Sequence, residues 1–304
     1  MAARANIVHD DHVHSAAEAG AGRLRLVLFL TGAFMFVEVA GGFATGSLAL
    51  IADAGHMFTD VAGVSMALLA IKLASRPPTS EKTYGYYRLE ILAALANGVL
   101  LIAVAAYILV EAYRRFSGTH EVMGWPMLGV ATVGLAVNLM SAYLLFEGQK
   151  TSLNLKAAFL EVISDLLGSI AVIVAGVVIL ATGFEEVDAI ASVLIGVFIL
   201  PRTWHLMSEA AHVLLEGAPR NVNMQHIREH ILEAPGVLGV HDLHVWSMTS
   251  GMPVMSAHVV VADTAAPAEV LDELCECLEA HFDIEHSTIQ IERADRSARE
   301  HAGH

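Results

Sequence analysis

The chain has 304 residues, 55% of them apolar, with a mean hydropathy of +0.57. The apolar residues gather into runs long enough to cross a hydrocarbon core of about 30 Å, which excludes a soluble globular class and makes this an integral membrane protein with the lipid bilayer as its surroundings. The net charge is −15, and from Leu206 to His304 sixteen acidic side chains face five basic ones, a balance that excludes nucleic acid as a partner and suits cations.

Residues 1–22 are polar and hold no apolar h-region, so the hydrophobic run from about Leu26 reads as a retained span. Within that tail, "HDDHVH" sets His9, His12 and His14 beside Asp10 and Asp11, a short tract that can collect metal loosely. Six transmembrane helices are expected over about 26–45, 49–73, 90–113, 125–147, 157–182 and 187–214, with Pro201 kinking the last or ending its membrane part. Lys and Arg mark one side of the membrane: Arg23 and Arg25, then Lys72, Arg76, Lys82 and Arg88, then Lys150 and Lys156, then Arg202 and Arg220. The first-to-second and fifth-to-sixth connections carry none. Both termini are therefore expected in the cytoplasm, with Arg114 and Arg115 as exceptions on the other side.

After Gly217-Ala218-Pro219 the periodicity changes. "NVNMQHIREHILEA" is helical, "VHDLHVWSMTS" and "PVMSAHVVVAD" alternate, "APAEVLDELCECLEAHF" is helical and "IEHSTIQIER" alternates. This α-β-β-α-β order predicts a small α+β domain with its helices on one sheet face. The expected organisation is a tail over 1–22, a six-helix membrane domain over 23–216, an α+β domain over 217–293 and a disordered tail over 294–304. Cys275 and Cys277 are the only cysteines. Two residues apart on a helix they point about 200° away from each other, which rules against a mutual disulfide, and they read as ordinary helix residues.

The second predicted span contains "LIADAGHMFTDVAG", with Asp53, His56 and Asp60 in an otherwise apolar helix. An ionisable side chain there costs about 2.5–3.5 kcal/mol on insertion scales. His56 and Asp60 stand four apart and share one helix face, with Asp53 three residues before His56 on the same stripe. The fifth span repeats the spacing in "FLEVISDLLGS" with Glu161 and Asp165. Two helices that each offer two donors can close a four-ligand site around a divalent ion, and Zn²⁺ accepts such a set. The ion also explains the energetics, because buried carboxylates are tolerated when they coordinate a metal. Glu38, in the first span, has no partner at ligand spacing and reads as a proton-relay or packing group.

"SLALIADAGHMFTD", "YGYYRLEILAALAN", "AFLEVISDLLGS" and "HDLHVW" resemble the cation diffusion facilitator family, particularly its bacterial cobalt–zinc–cadmium resistance branch, over about Arg23 to Arg293. The resemblance implies six transmembrane helices with a cytoplasmic metallochaperone-like, ferredoxin-like α+β domain. It also implies a homodimer in the bacterial inner membrane that exports divalent cations in exchange for protons. His56 and Asp60 match the family's second-span pair and Asp165 its last ligand. Glu161 departs from the His found in many zinc members; one imidazole with three carboxylates makes a harder site that admits Co²⁺, Cd²⁺, Mn²⁺ or Fe²⁺ beside Zn²⁺. Residues 73–88 contain neither Asp nor His, so the second site that some members place in that loop is expected to be absent.

No G-x-x-x-x-G-K-[ST] sequence is present, which turns the energy source from ATP toward a proton gradient. Ions and protons compete for the same groups, and His56 is the natural exchanger because its reference pKa of about 6.5 is near working pH. Asp53 is read as a group behind the ligands or a proton-loading group. An intramembrane metalloenzyme and a membrane-bound metal sensor remain the alternatives. In the α+β domain, strand alternation puts His258, His286 and Glu292 on one exposed face and favours His244 there, whereas the resemblance points to His241 with His258 and Glu292 as a regulatory site.

Overall fold

The computed structural model describes residues 3–116, 120–150 and 153–294, with side chains from residue 22 onward other than residues 71, 153 and 154. It divides into two compact units: residues up to Met66 with Ala96–His205, and Ala67–Leu95 with residues from Leu206 on.

The long helices are α1 (Ala3–Thr45), α2 (Leu48–Ala74), α3 (Leu89–Phe116), α4 (Gly124–Phe146), α5 (Leu153–Thr182) and α6 (Glu186–Leu214). Among the described residues all six contain a segment long and apolar enough to cross a membrane. α6 continues as one helix through Pro201; the proline removes one i→i−4 bond without ending the helix. In the first unit, Leu50 of α2, Ile108 of α3, Met127 of α4, Val172 of α5 and Ile195 of α6 form one buried cluster. Large apolar side chains such as Phe29, Phe36, Tyr143 and Phe198 point outward. Around a helix with no unsatisfied backbone this exposure matches lipid rather than water.

The helix that carries His56 is anchored at its start. Gly46 turns the chain with φ +71°, and a Cβ there would lie 2.7 Å from the Glu121 carbonyl oxygen, so only glycine fits. Asp188 of α6 then accepts hydrogen bonds from the Ser47 hydroxyl (2.6 Å), the Leu48 amide (2.6 Å) and the Ala49 amide (3.3 Å), filling the role of an N-cap from another helix. Arg115 Nη1 reaches the same carboxylate at 3.4 Å and the Gly46 carbonyl at 2.5 Å. One of the two arginines that breaks the loop-charge pattern is thus occupied in tying α2, α3 and α6 together.

In the second unit α7 (Met224–Glu233), β1 (Val237–Thr249), β2 (Met252–Val261), α8 (Pro267–Phe282) and β3 (His286–Arg293) follow in the predicted order. The sheet order is β1-β2-β3, with β1 and β2 antiparallel and β2 and β3 parallel, so α8 is the crossover that a parallel pair requires. The Asn223 side chain caps α7 through the Gln225 and His226 amides. Ile227, Ile231, Met255, Leu274, Leu278 and Ile284 fill the core between helices and sheet. Elsewhere in this unit Arg88 pairs with Glu216 at 2.9 Å, and the Thr249 hydroxyl bonds the Glu90 carboxylate.

β1 carries a bulge. His241 pairs with His258 and His244 with Ser256, three residues against two, and Asp242 between them is left-handed with φ +46°. Asp tolerates that conformation better than most residues. A bulge of one residue resets the alternation, and both His241 and His244 end on the same face as His258.

Candidate metal centres

In the first unit the i, i+4 pairs of α2 and α5 meet. His56 Nε2 lies 3.6 Å from Asp60 Oδ2, 3.8 Å from Glu161 Oε1 and 3.8 Å from Asp165 Oδ1. These separations are too long for hydrogen bonds. A tetrahedral ion with bonds of about 2.0–2.2 Å holds its donors roughly 3.3–3.6 Å apart, close to the spacing seen. Ligand atoms of His56, Asp60 and Asp165 all fall within 4.8 Å of one another. Asp165 Oδ1 is buried with no hydrogen-bond partner, a loss of about 1–3 kcal/mol for a neutral group and more for a charge. A cation among these donors would remove it, so the donor set fits Zn²⁺ and neighbouring divalent ions.

Glu161 differs from the other three. Arg202 of α6 grips it with two prongs, Nη1 to Oε1 at 2.8 Å and Nη2 to Oε2 at 2.5 Å. Such fork-to-fork pairing is the strong form of an ion pair. Sequence reasoning used Arg202 only to orient the last span and missed this contact. The available signal was a guanidinium one residue after Pro201 in a helix with acidic residues on its neighbours.

Asp53 and Glu38 are buried, 2% and 1% exposed, and hydrogen-bond to each other across α1 and α2. Two carboxyl groups can do so only with a proton between them. Glu38 therefore has a partner that helix spacing could not reveal. Gly168 of α5 makes the space: a Cβ there would sit 2.7 Å from Asp53 Oδ1.

In the second unit, His241 Nε2 lies 3.2 Å from Glu292 Oε2 and His258 Nδ1 3.3 Å from Glu292 Oε1. Asp242 Oδ2 is 3.7 Å from His241 and 3.9 Å from His258. The imidazole centroids are 5.0 Å apart. Burial by itself would raise the Glu292 carboxyl; hydrogen bonds from Gln290 and His241 and the charges of His258 and His241 overcome it, and the group titrates below its ordinary 4.5. Asp242 was not singled out from the sequence, although alternation sets it on the face of His244; it is His241 that alternation assigns to the opposite face and that the bulge brings round to His258. His244 shares the face one rung along, opposite Ser256, outside the His241–Asp242–His258 group. His286 pairs with Val254 at the far end of β3, about 20 Å along the strand from Glu292 at 3.3 Å per residue, and does not join them. The tail residues His9, His12 and His14 lie outside the described side chains, and the expected disordered tail from residue 295 on lies outside the described residues.

Residues 24–215 match the family model described as the cation efflux transmembrane domain, and residues 219–294 the cation efflux protein cytoplasmic domain. The chain belongs to the cation efflux family. It is 47% identical over 284 residues to the metal cation efflux system protein CzcD of Cupriavidus metallidurans, covering 93% of this chain and 90% of that one. It is 42% identical over 289 residues to a cadmium, cobalt and zinc/H(+)-K(+) antiporter of Bacillus velezensis, covering 93% and 92%. The zinc transporter ZitB of Escherichia coli is 41% identical over 281 residues, 92% of this chain and 90% of that protein. The chain is thus a membrane-embedded metal cation efflux transporter of the CzcD-like branch, not an enzyme.

Proposed function

We propose that this transporter moves Zn²⁺, and also Co²⁺ and Cd²⁺, out of the bacterial cytoplasm across the inner membrane in exchange for protons, as a homodimer with both termini cytoplasmic. The observation that carries the reading is one imidazole nitrogen facing three carboxylates from two helices, with a buried oxygen among them left without a partner. The name of the Bacillus velezensis relative supports the metals and the proton. The family match to a cytoplasmic domain and the distribution of Lys and Arg support the orientation.

The cation is the cargo and His56, Asp60, Glu161 and Asp165 are its ligands. Binding needs a neutral imidazole and ionised carboxylates, so loading from the cytoplasm releases protons. Helix movement then opens the site outward, where protons return to His56 and the carboxylates and expel the ion. Asp53 and Glu38, sharing a proton behind the ligands, hold a further proton next to the site. The sheet-face group His241, Asp242, His258 and Glu292 is read as a regulatory Zn²⁺ site, because its two imidazoles and carboxylates are ordinary zinc donors.

Uptake of radioactive zinc into inverted vesicles under an imposed pH gradient tests this, with competing Co²⁺, Cd²⁺ and Mn²⁺ to rank the cargo. Uptake is expected to require the gradient and to vanish with His56→Ala. Uptake at the parental rate in His56→Ala vesicles, or with no gradient and no other driving ion, would overturn the mechanism.

A further inference from the structure

Outside both centres, the α+β domain has a third gathering of metal-binding side chains in the groove between its two helices. Glu273, Cys277 and His281 follow one another at i, i+4 and i+8 along one face of α8. α7 presents His226 and His230, also four apart, and Glu233. The two helices touch here. The His230 and His281 rings stand 5.4 Å apart between centroids, tilted by 50°, and Cys277 Sγ lies 3.7 Å from His281 Nδ1. Glu273 and Glu233 are close enough to act on the Cys277 thiol through their charges.

We propose that Cys277, His281 and His230 form a binding site for a thiophilic divalent cation, with Glu273 and Glu233 as the surrounding negative charge. Two features favour it over incidental crowding. Two imidazoles on one tetrahedral ion, with bonds of about 2.0–2.1 Å, hold their ring centres about 5 Å apart, near the separation found here. Each ring is also set in one tautomer: Nδ1 of His230 donates to the His226 carbonyl and Nδ1 of His281 to the Cys277 carbonyl, both at 3.1 Å. A backbone carbonyl held in this way leaves Nε2 with the lone pair, the usual arrangement behind a metal-bound imidazole.

The ligand atoms of the three residues do not all fall within 4.8 Å of one another, and the His281 nitrogen that faces the sulfur is Nδ1, the one held by the Cys277 carbonyl. Binding therefore requires His281 to turn Nε2 toward the thiol and His230, which is half-buried at the groove edge, to swing in beside it. Binding releases the thiol proton to water and forms the sulfur–metal bond. The thiolate makes this the one group of the three that selects for soft ions, because neither the membrane site nor the sheet-face site contains sulfur.

That difference supplies the test. The full-length protein in detergent is titrated with Co²⁺ alone, and the thiolate-to-cobalt charge-transfer absorption is recorded. With only Cys275 and Cys277 in the chain, such a band must come from α8. It is expected to saturate at one equivalent per chain, to disappear in Cys277→Ser, to need at least tenfold more Co²⁺ in His281→Ala and in His230→Ala, and to persist in Cys275→Ser and in His56→Ala. Persistence in His56→Ala separates this site from the transport site, whatever the fate of the transport mechanism. Circular dichroism of each variant checks that the fold is retained. Absence of a sulfur band while the d–d absorption of Co²⁺ at the other sites saturates would overturn the proposal, as would its loss in Cys275→Ser with retention in Cys277→Ser.

Discussion

The helix-pair centre and the sheet-face centre use the same side-chain chemistry and solve opposite problems. Around His56 the three carboxylates stand 3.6–3.8 Å from the imidazole nitrogen, beyond hydrogen-bond reach of it. Around Glu292 the contacts are closer: His241 hydrogen-bonds it at 3.2 Å and His258 lies 3.3 Å from its other oxygen. In the first, the imidazole and the carboxylates satisfy each other poorly, and a buried oxygen waits for a cation. In the second, the histidines and the glutamate already contact one another without an ion. A site that must be filled and emptied repeatedly is better built the first way. One that registers an ion, or braces a sheet, is better built the second way.

Removing one ligand from each centre should separate them most. Asp165→Asn is expected to lower vesicle zinc uptake by more than about a hundredfold, since even residues behind a metal ligand cost roughly ten- to a hundredfold. Glu292→Gln should change it by less than about threefold. Comparable losses in the two variants would mean that the sheet-face cluster is part of the transport path. Gly168→Ala comes next. Its methyl would press on Asp53 without touching a ligand, and an uptake loss of about tenfold is expected, because small displacements near a preorganised site are amplified. Unchanged uptake would show that the Glu38–Asp53 pair has no part in the cycle.

Much of this was legible in the sequence, for identifiable reasons. Six spans follow from length and hydropathy, and the i, i+4 spacing of His56 with Asp60 and of Glu161 with Asp165 places each pair on one helix face before any tertiary information. The α-β-β-α-β order follows from the switch in period after Pro219. What stayed hidden depends on long-range contact or local irregularity. Arg202 is 41 residues from Glu161 in sequence, Glu38 meets Asp53 only when α1 packs on α2, and the β1 bulge at Asp242 reverses the parity that strand alternation assumes. The competition between His241 and His244 had no resolution in periodicity, because both face the same way.

Arg202 sharpens the comparison further. At the membrane centre a guanidinium already holds Glu161, so an arriving cation must share or displace it. Arg202→Gln should therefore tighten zinc binding to the detergent-solubilised protein. The gain is about fivefold, from roughly 1 kcal/mol for a partly exposed two-pronged pair. In a Glu161→Gln background the same change should have no effect, since the competing partner is gone. Calorimetric titration of the four proteins of this cycle checks both statements. Weaker binding in Arg202→Gln would mean that the arginine positions Glu161 for the ion instead of competing for it.

The smallest effect expected belongs to the sheet-face centre and depends on pH. Glu292 titrates below its ordinary value in the folded domain, so its ionised form contributes stability above about pH 4.5, and that contribution fades as the pH falls through the lowered folded value. His241→Ala removes one of the hydrogen bonds responsible. In chelator, the parent should melt a few degrees above His241→Ala at neutral pH, a difference of about 1 kcal/mol or less. The gap should close as the solution is made acidic and both proteins protonate Glu292. A gap that widens in acid would place the stabilising charge on a group other than this carboxylate, and the contrast between a cluster whose members already pair and one that needs an ion would lose its basis.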